Sequence, residues 1–116
     1  MTGVLASDKK IKEKPDEIKR VIKAGIKANR YIRQNRDGTI QAMMEWMKID
    51  KEMATATYDS VGKAFNEDGS LPEDGLRLLI EEARKAAKVS REIASSEVAD
   101  LTILREAQKE LGIQGR

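Results

Sequence analysis

Apolar residues recur at three- and four-residue steps along most of the chain, which is the spacing of one helix face. The longest such pattern lies between Pro15 and Asn35, and its apolar positions are Ile18, Val21, Ile22, Gly25, Ile26 and Ile32. We predict a helix over Pro15–Asn35 that buries this face, with Ile22 and Ile26 at its centre and Lys23 on the opposite side. Gly25 costs about 1 kcal/mol relative to alanine in a helix, so we expect a neighbouring element to approach it closely.

The same period and the capping residues before it predict five further helices. Their spans are Asp8–Lys14, Thr39–Met47, Lys51–Phe65, Pro72–Lys88 and Leu101–Leu111. The expected N-terminal caps, in chain order, are Ser7, Asp37, Asp50, a capping box of Ser70 with Glu73, and Asp100. Gly112 is expected to end the last helix. The chain should therefore be more than about three-fifths helical.

Four of these helices carry an apolar face that we expect to be buried. The faces are Ile40, Met43, Met44 and Met47; Met53, Thr57, Val61, Ala64 and Phe65; Leu76, Leu79, Ile80, Ala83 and Ala87; and Leu101, Leu104, Ala107, Gln108 and Leu111. The methionine stripe could instead be an adaptable surface for a partner, although such a stripe is more often core.

Three segments do not have the helical period. Thr2–Ala6 is apolar and partly β-branched and predicts a short strand, which is anomalous because one strand cannot satisfy its own backbone hydrogen bonds. Asn66–Asp74 begins like a calcium loop but lacks the alternating oxygen ligands and the closing glutamate, so we interpret it as a turn. Val89–Ala99 is polar and is expected to be irregular.

Composition predicts one mainly α domain over residues 1–116. The chain is 40% hydrophobic and 36% charged, which is typical of globular proteins. Aromatic residues make up only 3%, so aliphatic side chains, methionine and alanine must fill the core. The sequence contains no cysteine and no histidine, which removes disulfides, thiolate metal sites and the commonest general base. No signal peptide is visible, and no apolar run approaches the ~20 residues needed to cross a bilayer.

Charge is distributed unevenly along the chain. Residues 1–36 contain 11 Lys/Arg against 4 Asp/Glu, a net charge of +7, whereas residues 37–116 contain 11 against 16, a net charge of −5. A basic surface can bind nucleic acid or an anionic membrane, or it can be a solvated helix face. Tyr31 is the only aromatic residue in the basic part, and no recognition motif accompanies it, so we favour the solvated face.

No residue pattern predicts catalysis. The neighbouring carboxylates Asp50 and Glu52, Glu81 and Glu82, and Glu106 and Glu110 lie beside lysines and arginines, where ion pairing on the helix surface explains them. The hydroxyls of Thr55, Thr57, Ser95 and Ser96 have no histidine partner and no nucleophile motif around them. We therefore expect a protein that is not an enzyme, with no catalytic residue, metal or cofactor.

The order of these elements resembles a known protein family. The most specific segments are DKKIKEKP at Asp8–Pro15, NRDGT at Asn35–Thr39, and Ser96–Gly112. Together they resemble the carboxyl-terminal third of periplasmic substrate-binding proteins that serve ABC importers of the nitrate/sulfonate/taurine type. The resemblance covers about Gly3–Ile113.

The resemblance implies the helical carboxyl-terminal segment of a type II periplasmic-binding-protein fold. Members of the family bind a small anionic or polar solute between two lobes and deliver it to an ABC permease outside the cytoplasm. The amino-terminal lobe and the second α/β lobe have no counterpart here, so no ligand-binding residue can be carried over. We expect a fragment or remnant that does not bind solute alone and that would be cytoplasmic if expressed as it stands.

The missing lobes also imply self-association, because the apolar surfaces that they would cover must be shielded from water in another way. We expect a homodimer with helix faces and the Thr2–Ala6 segment at its interface. The alternative is a monomeric bundle, in which the short strand folds down or frays and the helices close on one another. The alternative function is a small helical protein-interaction module with no transport role. It would use the methionine face or the basic front, which is the positively charged part formed by residues 1–36.

Overall fold

A computed structural model describes residues 4–113, and 72% of these residues are helical. The helices are α1 (Asp8–Glu13), α2 (Pro15–Gln34), α3 (Arg36–Met47), α4 (Lys51–Val61), α5 (Glu73–Ala86), α6 (Ser95–Val98) and α7 (Thr102–Glu110). A 3-10 turn, Gly62–Ala64, continues α4. Residues 4–113 contain no strand, so the mainly α prediction is confirmed.

The predicted N-terminal strand is not present in the described part of the chain. Val4–Ala6 has neither helical nor strand structure, and Leu5 is 98% exposed. Thr2 and Gly3 lie outside the described residues. The physical reason is that no second strand lies beside this segment to pair with its backbone groups.

Two of the predicted caps, Ser7 and Asp50, are confirmed. The Ser7 hydroxyl accepts a hydrogen bond from the Lys10 N–H (3.1 Å), and Asp50 accepts one from the Met53 N–H (2.8 Å). The prediction of Asp37 as a cap is wrong, because Asn35 caps α3 by accepting from the Gly38 N–H (3.0 Å). Asp37 lies instead in the first turn of α3, where its negative charge is favourable.

The predicted capping box at the start of α5 is also wrong. The helix begins at Glu73 directly after Pro72, and the Glu73 carboxylate accepts from Arg77 (3.0 Å) and from the Ser95 hydroxyl (2.7 Å). The Ser70 N–H donates to the Asp68 carboxylate within its own loop. Pro72 restricts Leu71, the residue before it, to extended backbone. A helix therefore cannot begin directly after Ser70.

The last helix ends as predicted, but it begins at Thr102, and its N-terminal cap position is Leu101 rather than the predicted Asp100. Asp100 accepts a hydrogen bond from the Thr102 N–H (2.9 Å). At the other end, Gly112 has φ +72°, and the N–H groups of Gly112 and Ile113 donate to the carbonyls of Lys109 and Gln108. This pattern is the Schellman motif, which ends a helix at a glycine.

The core of the molecule lies between α2 and α7. Ile18 and Ile26 of α2 are buried, as are Ile103 and Ala107 of α7. Ile26, only 2% exposed, is the most enclosed large side chain in the described residues.

The loop after α4 covers the same core. A Cβ on Gly69, whose φ is +74°, would lie 3.0 Å from the side chains of both Ile26 and Leu104. The Gln108 amide fixes the loop by donating to the Asp68 carbonyl (2.7 Å). The loop can therefore pass over the core only because position 69 is glycine.

An ion cluster joins α2 to α7 beside the core. The ammonium groups of Lys19 and Lys23 each lie 3.1 Å from the Glu110 carboxylate. Hydrogen bonding to Lys19 and Lys23 lowers the pKa of Glu110, and the Glu110 carboxylate raises the pKa of Lys19. Lys23 therefore lies on the α7 side of α2, and its predicted position opposite the core is wrong.

The buried face of α2 is narrower than predicted. Ile22 is only half-buried, Val21 is 52% exposed and Gly25 is exposed. Apart from its chain neighbours and the backbone of its own helix, no atom lies within 4 Å of the position that a Cβ on Gly25 would occupy. The expected close approach of a neighbour to Gly25 is therefore absent from the described structure.

Helices α3 and α4 form an antiparallel hairpin beside the end of α2. Thr39, Ile40 and Ala54 are buried in it. The Tyr58 hydroxyl joins the hairpin to α2 by donating to the Ile32 carbonyl (2.5 Å), and Arg36 pairs with Asp59 (2.9 Å) across the hairpin.

The apolar faces predicted for α3 and α4 are only partly buried. Met43 and Met44 are half-buried, but Met47 is 52% exposed. On α4 the predicted face is wrong, because Met53 and Val61 are 57% and 45% exposed and the buried residue is Ala54, with Gly62 buried in the turn that follows. A small alanine face lets the two helices approach closely, and that choice of face turns Met53 outward.

Helix α5 is only loosely attached to the rest of the fold. Among the described helices, only α6 has Cα atoms within 8 Å of those of α5. Ile80 is buried, and the Arg84 guanidinium holds the following segment by donating to the Val89 and Ser90 carbonyls (3.2 Å each). The segment after α5, which we expected to be irregular throughout, contains the single turn of α6.

The molecule has a large surface for its mass. Its accessible area is 9112 Å², whereas a compact monomer of this mass has about 6,300 Å². Its radius of gyration is 16.9 Å, against about 13 Å for a compact domain of this length. The described residues contain no helix long and apolar enough to span a membrane. The exposed surface includes large apolar side chains, among them Val21, Leu78 and Trp46.

The enclosed position of Ile26 generates the first prediction. Ile26→Ala should lower the free energy of unfolding by about 2–5 kcal/mol, because it leaves a cavity against α7 and Gly69. Val21→Ala, on the exposed side of the same helix, should change it by less than about 0.5 kcal/mol. Urea unfolding followed by circular dichroism measures both values. Equal losses in the two variants would contradict the assigned core face.

The Glu110 cluster generates a prediction about pH. Because the pKa of Glu110 is lowered in the folded chain, its stabilising effect is present above the unfolded value of 4.5 and is lost as the pH falls through the folded value. Glu110→Gln should therefore lower the free energy of unfolding at neutral pH, and the difference from the original chain should shrink below pH 4.5. Denaturant unfolding at several pH values tests this.

Glu106→Gln, an exposed change on the same helix, is the control for this pH series. It should produce a smaller difference at neutral pH. A difference for Glu110→Gln that is independent of pH would show that the ion cluster does not stabilise the fold.

Candidate functional site

The carboxylates considered from the sequence are tied to nearby cations. Glu81 lies 2.8 Å from Arg84, and Glu82 lies 3.5 Å from Lys85, both along α5. The hydrogen bond from Arg84 lowers the pKa of Glu81. A general acid needs a raised pKa, so the environment of Glu81 shifts it in the opposite direction.

The remaining candidate carboxylates lie on different elements. Asp50 caps α4 with Glu52 exposed beside it, while Glu106 and Glu110 lie on α7. Residues 4–113 contain no group of three or more side chains placed to bind a metal ion. The structure therefore does not bring these predicted pairs together at one point.

The candidate hydroxyl groups are also separated from one another. Thr55 and Thr57 are half-buried within α4, and Ser96 is exposed. Ser95 is half-buried, and its hydroxyl donates to Glu73, which lowers the pKa of that carboxyl. The Ser95 hydroxyl joins the start of α5 to α6, which is a structural contact.

The loop over 66–70 is a turn, as predicted. Asn66 accepts from the Gly69 N–H and Asp68 accepts from the Ser70 N–H, each at 2.8 Å. The Glu67 carboxylate accepts from Gln34 (3.1 Å) and lies 3.8 Å from Arg33. These side-chain oxygens are already used within the protein.

An open polar groove of about 630 Å³ runs beside this loop. It is lined by Arg30, Arg33, Lys63, Phe65, Asn66, Glu67, Asp68, Ser70 and Ile113. The Arg30 guanidinium donates to the Glu67 carbonyl (3.0 Å), and Arg33 faces the Glu67 carboxylate. Internal partners therefore use much of the positive charge in the groove.

The basic front is likewise partly neutralised. Five of its cations have anionic partners within 4 Å, namely Lys10, Lys19, Lys23, Arg33 and Arg36. Arg20 and Lys27 are exposed and form no ion pair within the described residues. The free positive charge of α2 is thus concentrated on one exposed side of the helix.

The same side of α2 carries an exposed apolar row that the sequence analysis did not separate from the buried face. We call it the α2 seam, and it consists of Val21, Ala24, Ala28 and Tyr31. Val21 and Tyr31 are 52% and 51% exposed, and both alanines are exposed. The spacing of three, four and three residues is that of the contact positions in a coiled coil.

Helix α5 carries a second row with the same spacing. We call it the α5 seam, and it consists of Leu76, Leu79, Ala83 and Ala86. Leu76 is half-buried, Leu79 is 43% exposed, and both alanines are exposed. This row includes three residues of the face expected to be core, and α5 presents most of it to solvent.

A third exposed apolar cluster lies at the tip of the α3–α4 hairpin. Trp46 is 89% exposed, and Met47 and Met53 are 52% and 57% exposed. The sequence analysis placed the two methionines in buried faces and did not single out Trp46. The tip shows that the methionine stripe is core near Ile40 and surface at its far end.

Comparison with known proteins identifies no relative. No family model matches the chain, and neither a curated protein nor a solved structure matches it.

Proposed function

We propose that this chain is the helical carboxyl-terminal segment of a solute-binding protein of the nitrate/sulfonate/taurine ABC-importer type, with the type II periplasmic-binding-protein fold. Its role is to pack against the two α/β lobes that form the solute site. In such a protein the partners of the assembled molecule are a small anionic or polar solute and an ABC permease, outside the cytoplasm. The resemblance of the segments at Asp8–Pro15, Asn35–Thr39 and Ser96–Gly112 motivates the proposal.

The observation that carries the proposal is the uncovered apolar surface. The 9112 Å² of accessible area exceeds that of a compact monomer by about 2,800 Å². The α2 seam and the α5 seam are arranged as packing faces, yet most of their residues are exposed. A helical layer made to cover other lobes has faces of this kind.

The same reasoning makes the chain incompetent to bind solute alone. A small-molecule site encloses most of its ligand, and in two-lobed binding proteins the lobes supply both walls. The groove beside Arg30 is open to solvent, and two of its three cations, Arg30 and Arg33, already contact Glu67.

The isolated chain is also proposed to form a homodimer. When the lobes are absent, the apolar surface of the chain is removed from water most simply if two copies cover each other. Two-fold pairing is the commonest closed arrangement. The N-terminal strand has no part in this proposal, because Val4–Ala6 is not a strand. The helix faces alone supply the interface.

An alternative function, a small helical protein-interaction module, is favoured by the hairpin tip. An 89% exposed tryptophan beside two exposed methionines has the composition of an interface hot spot. If this function is correct, Trp46→Ala should abolish binding of the protein partner. If the packing role on the α/β lobes is correct instead, the same variant should still bind the lobes through α2 and α5.

The first prediction from the proposal concerns reassembly. The chain should form a one-to-one complex with the two α/β lobes of a nitrate- or taurine-type binding protein produced without their own carboxyl-terminal helices. Titration calorimetry should show micromolar solute binding by the complex and none by this chain alone. Folded lobes that form no complex with the chain would contradict the proposed role. Micromolar binding by the chain alone would contradict its dependence on the lobes.

The second prediction concerns mass. Light scattering coupled to size exclusion should give twice the 13.0 kDa of one chain at micromolar concentrations. Folding is monitored in parallel by circular dichroism, with a helical spectrum expected. A folded species of 13.0 kDa across the whole concentration range would refute self-association.

A further inference from the structure

We infer that two copies of this chain pair reciprocally, with the α2 seam of each copy packed antiparallel against the α5 seam of the other. The inference rests on the proposed self-association and specifies its surface. Each seam is an exposed helix face with the coiled-coil spacing of three, four and three residues. A two-fold axis then produces two identical α2–α5 contacts, and both uncovered faces are used in one closed dimer.

The side chains of the two seams match in an antiparallel register. In this register Val21 faces Ala86, Ala24 faces Ala83, Ala28 faces Leu79, and Tyr31 faces Leu76 of the other copy. The alanines near the centre allow the helices to approach closely. At the ends, the larger Val21 and Tyr31 face Ala86 and Leu76. A shift of one seam position that places the Tyr31 ring against Leu79 would leave Val21 and Leu76 without a facing seam residue.

The charges beside the seams select this pairing over others. Lys27 flanks the α2 seam, and Glu82 occupies the equivalent flank of the α5 seam. Antiparallel packing brings equivalent flanks together, so Lys27 faces Glu82 of the other copy. Glu82 is exposed, and within residues 4–113 its ion-pair partner is its neighbour Lys85, at 3.5 Å.

Pairing of α2 with a second α2 is disfavoured by the same geometry. It would place the flank of Arg20 and Lys27 against the same cations of the other copy. Like charges that face each other destabilise helix pairs. The α5 seam therefore suits the α2 seam better than another α2 does.

Gly25 supplies a separate reason for a partner at this face. It lies beside the α2 seam, is exposed, and has empty space where a Cβ would be. Glycine destabilises a helix interior relative to alanine, and nothing within the described chain requires it here. A partner helix that approaches the α2 backbone closely explains its presence.

The surface of the chain is large enough for such a dimer. A standard interface buries about 800 Å² from each partner. The accessible area exceeds the compact value by about 2,800 Å², so two helix contacts per dimer can be supplied without uncovering the core.

The test is a charge exchange between two variants. Lys27→Glu and Glu82→Lys should each weaken the dimer about tenfold, because each homodimer then contains two like-charge contacts. An equimolar mixture of the two variants should recover the original dissociation constant within about threefold. In the mixed dimer both contacts again join opposite charges. Sedimentation velocity at several concentrations measures all three constants.

Lys51→Glu and Glu52→Lys form the matched control pair, because both positions are exposed on α4 and away from the seams. These variants should dimerise as the original chain does, alone and mixed. A helical circular dichroism spectrum of unchanged intensity at 25 °C establishes that the seam variants are folded, because weaker association by itself can lower the melting temperature.

The outcomes separate this inference from the proposed self-association. A dimeric original chain whose dissociation constant is unaffected by the two seam variants would overturn the seam pairing and leave self-association standing. A monomeric original chain would overturn both. A dimer that each seam variant weakens but that the mixture does not restore would also overturn the assigned pair of Lys27 with Glu82.

Discussion

Helix α2 has two apolar sides, and the described chain covers only one of them. Ile18 and Ile26 pack against α7, and the remaining elements depend on this contact for their positions. Gly69 brings the loop after α4 over Ile26, and Glu110 joins α7 back to α2 through Lys19. The other side, with Val21 and its neighbours, is in contact with solvent. The stability of the fold therefore depends mainly on the core that one side of α2 forms with α7.

This division explains why the molecule has packing faces but little enclosed volume. The α3–α4 hairpin and the α5–α6 pair extend from the α2–α7 core, and each covers its own small buried cluster. Apolar side chains that a larger protein would enclose are left at the surface, most clearly on α5 and at Trp46. The proposed roles, in which α/β lobes or a second copy cover these faces, rest on the same deficit of burial.

The helical content could be predicted from the sequence, because periodicity and capping are local properties. The core was predicted in part: Ile26, Ala107 and Gln108 are buried as expected, whereas the buried Ile103 was missed. Ser7, Asp50 and Gly112 act where the pattern placed them. Asp37 was the wrong cap because Asn35, two residues earlier, offers the same chemistry and begins the helix first.

The uncovered faces could not be predicted in the same way. Which of two apolar rows on one helix becomes buried depends on how much other structure is present to cover them, and a local pattern does not contain that quantity. Val21 and Gly25 fit the apolar period as well as Ile26 does, yet they face solvent. The three, four and three spacing from Val21 to Tyr31 was visible, but the stronger isoleucine pattern on the same helix masked it.

Cysteine cross-linking between the two seams tests the account most directly, because the chain has no cysteine of its own. An Ala24→Cys chain mixed with an Ala83→Cys chain should form a disulfide-linked dimer under mild oxidation, since paired seams bring these positions within disulfide reach. An Ala24→Cys chain mixed with an Ala42→Cys chain, which carries its thiol on an exposed face of α3, should form far less of it. Equal cross-linking in the two mixtures, or none in either, would contradict the claim that the uncovered faces of α2 and α5 meet.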